Sequence, residues 1–171
     1  MKKSVGAAGA LLSSLALAVG LATPAAADNP SNGRYNNVRA MHTGMCAAVG
    51  NNSTSPGAGL IQFPCDRKYN KQFVGQGAGT DAYFLRVRST NMCITPQTGA
   101  DHAVLVQAPC VNMDSQVWVA TYAGNDSWQL RNRATGFCMG VAWGAGNSGQ
   151  PLDQSSCGAF DGQSWRFTVA Q

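Results

Sequence analysis

The sequence predicts an all-β protein built from three copies of one repeat of about 46 residues. Three observations lead there. All eight acidic residues are Asp and none is Glu, while Gly, Asn, Ser and Thr abound. The scarcity of Glu and Lys, both strong helix formers, beside that abundance argues against a helical protein and favours short strands joined by turns. A skeleton of cysteines and aromatics recurs in step along the chain, the mark of a repeat architecture. Segments such as Ser115–Ala120 and Gln163–Val169 alternate in polarity with a period of two, as half-buried strands do.

In chain order, the first 27 residues read as a leader peptide. Met1-Lys2-Lys3 is a positive start, Val5 to Ala22 an apolar run, and Ala25-Ala26-Ala27 a small-residue cleavage site. Removal would make Asp28 the first mature residue. Residues 28–33 are expected to be a short linker, and 34–171 a single domain with repeats at about 34–80, 81–125 and 126–171. No later segment is apolar enough to span a membrane. The protein is therefore expected to be secreted and extracellular.

Each repeat opens alike: Val38-Arg39 with Thr43 before Cys46, Leu85-Arg86 with Thr90 before Cys93, and Leu130-Arg131 with Thr135 before Cys138. A second cysteine follows after 19, 17 and 19 residues, at Cys65, Cys110 and Cys157. Eight residues further on stand Phe73, Trp118 and Trp165. Six cysteines allow 15 pairings, but equivalent repeats should make equivalent bonds. The expected disulfides are Cys46–Cys65, Cys93–Cys110 and Cys138–Cys157, as an oxidising compartment permits. Leu60–Phe63 and Val104–Gln107 read as short strands before the second cysteines. Gly50-Asn51-Asn52, Gly75–Gly79 and Gly144–Asn147 read as turns. The recurring Arg39, Arg86 and Arg131 read as structural.

Several function classes fall away. With Lys2 and Lys3 removed, the basic count drops from 12 to 10 against 8 acids, about +2 net, too little to attract nucleic acid. No Cys-x-x-Cys pair exists and only His42 and His102 are available, so no metal or cofactor is expected. Asp101, Asp126 and Asp161 sit in loop-like sequence, yet no hydrolase motif frames them. Asp101-His102 has no Gly-x-Ser-x-Gly elbow to serve. The chain is not expected to be an enzyme.

Three repeats, each with an internal cysteine pair, and Gln116-Val117-Trp118 and Gln163-Ser164-Trp165 with an altered Lys71-Gln72-Phe73 resemble the ricin B-type β-trefoil lectins across essentially all of residues 34–171. The resemblance implies a β-trefoil: four strands per repeat, six strands in a barrel and three hairpins closing one end. The Gln-x-Trp motif is expected to lie on a strand, Trp in the core and the Gln amide on the same face satisfying backbone groups.

The same resemblance implies a sugar site in each competent repeat. It calls for Asp two after the first cysteine, an aromatic two before the second, and Asn three before the motif aromatic. Those positions hold Ala48, Phe63 and Asn70; Thr95, Ala108 and Ser115; and Gly140, Ser155 and Gly162. No repeat keeps the carboxylate. Phe63 and Asn70 survive in the first repeat. In the third, Trp143 among glycines reads as an exposed aromatic, and Asp153 as a turn residue or a ligand contact. These four are the candidate ligand-binding residues. The expected function is a non-catalytic carbohydrate-binding module with a non-standard or weakened sugar site, its partner an extracellular glycan or polysaccharide. The alternative is a protein-binding adaptor of a secreted toxin or hydrolase complex that has lost sugar binding.

Overall fold

The computed structural model describes Pro30, residues 33–159 and residues 161–171; the expected leader and most of the linker lie outside the described residues. Among the described residues twelve strands follow one another. They are β1 (Asn36–Ala40), β2 (Cys46–Val49), β3 (Leu60–Phe63), β4 (Phe73–Gly79), β5 (Ala82–Val87), β6 (Cys93–Pro96), β7 (Leu105–Ala108), β8 (Val117–Gly124), β9 (Ser127–Asn132), β10 (Cys138–Val141), β11 (Leu152–Ser155) and β12 (Trp165–Val169).

The pairings β1–β4, β4–β5, β5–β8, β8–β9, β9–β12 and β12–β1 close a six-stranded antiparallel barrel. The hairpins β2–β3, β6–β7 and β10–β11 lie outside that ring, each joined to it by one pairing, β1–β2, β5–β6 and β9–β10. This is a β-trefoil, and closure leaves the barrel without free edges. Equivalent residues fill its interior. Val38, Leu85 and Leu130 line the barrel, Leu60, Leu105 and Leu152 come from the hairpins, and Phe73, Trp118 and Trp165 lie between; all are 0–1% exposed. One repeat alone could not bury these faces. The three disulfides join Cys46 to Cys65, Cys93 to Cys110 and Cys138 to Cys157. Among the described residues no helix is long and apolar enough to cross a membrane.

The recurring polar residues form a cyclic lock. Each repeat's Thr hydroxyl donates to a buried Gln three residues before the second cysteine: Thr43 to Gln62 (2.9 Å), Thr90 to Gln107 (2.8 Å) and Thr135 to Gln154 (2.8 Å). Each Gln amide then donates to two carbonyls of another repeat's hairpin loop. Gln62 binds Ala145 and Asn147, Gln107 binds Ser53 and Ser55, and Gln154 binds Thr98 and Ala100. Buried amides are affordable only when so satisfied. Arg86 and Arg131 donate to the carbonyls of Asn91 and Gly136 in the first turn of their repeats, and Arg39 to the Cys65 sulfur.

Three local expectations change. Gly75–Gly79 is the body of β4 and not a turn. Its Gly75 is needed because a Cβ there would collide with the Pro30 carbonyl oxygen. The Gln of Gln-x-Trp is not on the strand. Gln116 and Gln163 end short 3-10 turns, Asp114–Gln116 and Asp161–Gln163. From there each closes its own cysteine loop: Gln116 Oε1 accepts the Val111 N–H and its amide donates to Pro109, as Gln163 does with Gly158 and Ser156. In the first repeat Lys71 takes that place, and its ammonium meets the Asp66 carboxylate at 2.6 Å. Burial opposes it, but the bonds from Lys71 and the Lys68 N–H hold Asp66 below the usual carboxylate value. Asp153, finally, lies within β11 and not in a turn.

Candidate functional site

A cleft of about 620 Å3 opens beside the third hairpin, lined among others by Asp101, His102, Trp143, Ser155, Ser156 and Gln163. Three of the residues that shape it depart from their counterparts in the other repeats. Trp143 is one. It occupies the 3-10 turn Ala142–Gly144, at the left-handed backbone position (φ 59°) where the first repeat has Asn51 (φ 52°). Asn tolerates that conformation; for a bulky residue it is a marked outlier. Its indole is 78% exposed.

His102 is the second. Its N–H donates to the Gln154 carbonyl just as the N–H of Gly57 and Gly149 donate to Gln107 and Gln62. The sister positions are glycines with φ 82° and 85°, whereas His102 holds φ 57° with a side chain attached. That ring stacks on Trp143, centroids 4.2 Å apart and planes 21° from parallel. Asp153, the third, stands where β3 and β7 have Ile61 and Val106. It is 2% exposed, and its carboxylate accepts a bond from His102 Nδ1 at 2.9 Å. Strained backbone and a buried acid at one spot, against two apolar precedents in the same molecule, are the local rule-breaking that accompanies function.

The electrostatics follow from that contact. The bond to Asp153 is the main cause that raises the His102 pKa above the usual imidazole value; desolvation opposes it, and the charge of Asp101 adds to it. The Asp153 carboxyl is also raised, because burial outweighs the bond from His102. His102 Nε2 carries no bond to another described residue and is left for the cleft.

The geometry also explains the empty positions of the third repeat. Gly140 pairs directly with Asp153 across β10–β11. A Cβ on Gly140 would lie 3.6 Å from Asp153 Oδ1, so an acid at 140 would crowd the one at 153. A Cβ on Gly162 would press to 3.2 Å on Gly144 and 3.3 Å on the Val141 carbonyl, so an Asn there would require that backbone to give by a few tenths of an ångström. In the second repeat the Thr95 hydroxyl donates to the Ser115 carbonyl, joining the acid and amide positions to each other.

Of the four residues predicted from sequence, Trp143 and Asp153 come together, through His102. Phe63 and Asn70 do not line this cleft. Phe63 is 41% exposed, with the Lys71 ammonium 4.9 Å from its ring centre. Asn70 is buried, its Nδ2 donating to the Val49 carbonyl and its Oδ1 without a partner. The sequence offers His102 only as a metal ligand or as the partner of Asp101. The signal that finds it is the pair of glycines at its sister positions.

Residues 34–128 match the family model of the ricin-type β-trefoil lectin domain, and residues 114–171 that of the ricin-type β-trefoil lectin domain-like family. No curated protein matches the chain at a significant level. Among solved structures, the designed 3-fold symmetric protein ThreeFoil is similar at 27% identity and TM-score 0.76, over 78% of this chain and 97% of that one. A Macrolepiota procera ricin B-like lectin in complex with lactose aligns at 18% identity and TM-score 0.70, over 81% and 97%. An exo-β-1,3-galactanase from Clostridium thermocellum aligns at 17% identity and TM-score 0.77, over 80% of this chain but only 30% of the enzyme.

Proposed function

The chain belongs to the ricin-type β-trefoil lectin family, and on that premise we propose that it is a secreted, non-catalytic carbohydrate-binding module whose sugar site is the Trp143–His102 cleft. One observation carries the reading: a stacked indole–imidazole pair, held by a buried carboxylate, stands at three positions where the repeats otherwise keep scaffold residues. A pyranose needs an apolar platform for its C–H face and fixed polar groups for its hydroxyls. Trp143 offers the platform on the ring face that His102 leaves open. His102 Nε2, the Asp101 carboxylate and the Ser156 hydroxyl stand around it. Asp153 is a positioning residue: too buried to meet the sugar, it orients the imidazole and favours its charged form. The carboxylate missing at position 140 is thus replaced by one that acts through His102.

The lactose bound by the Macrolepiota lectin makes a neutral glycan the class to test first. The experiment is a broad glycan array, plant and microbial polysaccharides included, probed with the oxidised protein. Discrete positives that Trp143→Ala abolishes support the site. A uniformly blank array removes the lectin reading and leaves the adaptor alternative, for which a stoichiometric partner should co-purify from culture supernatant.

A further inference from the structure

A second cavity, of about 590 Å3, lies against the first and takes in none of the sugar positions that the family resemblance implies. Its walls come from three places. Met41 and His42 follow β1; Ala123 near the end of β8, Asn125 in the turn and Ser127 at the start of β9 come from one hairpin; and Gly158, Ala159 and Ser164 precede β12. Ala159 lines both cavities. Gln163 on one side adjoins Ser164 on the other. His42 Nε2 lies 3.4 Å from the Ala145 carbonyl, next to Gly144 of the first cleft. The two spaces therefore run along the same Cys157 loop. Each falls within the roughly 300–1,000 Å3 of small-molecule sites.

The chemistry of the second cavity is specific. No Lys, Arg or Asp lines it. The Asn125 amide and the Ser164 hydroxyl carry no hydrogen bond to another described residue, so donors and acceptors are free, while Met41 and the alanines supply apolar wall. In the first cleft the Asp101 carboxylate stands beside the imidazole of His102 and offsets the charge it carries when protonated, so no unbalanced cation there selects an anionic sugar. We propose that the two cavities are consecutive subsites of one groove, so that the protein holds an internal stretch of a neutral polysaccharide and not a single terminal sugar. This rests on the sugar reading of the first cleft. Trp143 grips one unit, and Asn125 and Ser164 bond hydroxyls of units further along the chain.

Calorimetric titration with ladders of one to six units from xylan, β-1,3-galactan, β-glucan, mannan and chitin tests it on the whole oxidised protein. For the ladder that binds, affinity should rise at least about tenfold between the shortest bound and the longest oligosaccharides, as a second linked contact provides. Asn125→Gly, which keeps the positive φ (49°) of that position, and Ser164→Ala should together erase the rise while leaving the short-sugar affinity within twofold. Trp143→Ala should abolish binding at every length. Affinity flat with length but dependent on Trp143, or a rise that survives both groove substitutions, overturns the groove and spares the cleft. Silence of every ladder overturns both.

Discussion

Gln154→Ala removes one link of the cyclic lock, and its cost can be worked from three contacts. The amide is fully buried, accepts the Thr135 hydroxyl at 2.8 Å, and donates to Thr98 and Ala100 at 3.2 and 2.8 Å. Each bond contributes about 1 kcal/mol net, and the vacated volume adds a further ~1 kcal/mol. The expected loss is about 4 kcal/mol, a fall in melting temperature of roughly 10–15 °C for a domain of this size. Gln107→Ala makes the equivalent cut and should cost the same, because Gln107 binds Thr90, Ser53 and Ser55 in the same way. Binding separates the two. The Gln154 loop carries Asp101 and His102, so its release should weaken glycan affinity at least about tenfold; the Gln107 loop carries none of the cleft. Differential scanning calorimetry measures the first effect and titration well below the midpoint the second. Melting within 2 °C of wild type for Gln107→Ala, or loss of binding in both variants alike, would refute the reasoning.

Other outcomes are as definite. Trp143→Ala, at an exposed indole, should leave the melting temperature within about 2 °C while eliminating binding; a large loss of stability would place Trp143 in the scaffold. The raised His102 contributes stability that is full below its ordinary value of 6.5 and lost as pH rises through the higher folded value. Raised Asp153 acts in the same sense above 3.8, and lowered Asp66 in the opposite one, its stability present above 3.8 and lost on acidification. Melting curves from pH 3 to 9 should therefore decline towards alkali in wild type and flatten between pH 6 and 8 in His102→Gln; an unchanged decline in the variant contradicts the pairing. Asp66→Asn should lose part of the acid-side fall. Reduction frees three loops of 17 to 19 residues, each worth roughly 3 kcal/mol, and an unaltered melting curve in reductant would contradict their structural role.

Much of the scaffold is legible in the spacing of cysteines, Thr and motif aromatics, since those residues meet within their own repeat. What crosses between repeats is harder to read. Gln62, Gln107 and Gln154 stand three before the second cysteine in every repeat, yet pass for polar strand ends until their loop partners in other repeats are known. Gly75 looks like turn punctuation because the Pro30 carbonyl that demands a glycine is 45 residues away in sequence. The site is legible in part: Trp143 and Asp153 stand out as departures, but His102 arrives from the preceding repeat. Its meaning depends on Gly57 and Gly149 marking a left-handed backbone position, a comparison that needs the register of the hairpin loops. Phe63 and Asn70 match a one-repeat template, whereas the cleft is made by two repeats.

The indole N–H signals of the protein's four tryptophans test the central claim most directly. Trp118 and Trp165 are buried and donate to the Ile94 and Met139 carbonyls, while Trp143 is exposed. In a nitrogen–proton correlation spectrum, titration with the polysaccharide fragment that binds should move the Trp143 signal, assigned by Trp143→Phe, and leave Trp118 and Trp165 in place. Saturable binding with an unmoved Trp143 signal would put the sugar elsewhere on the trefoil and contradict the cleft.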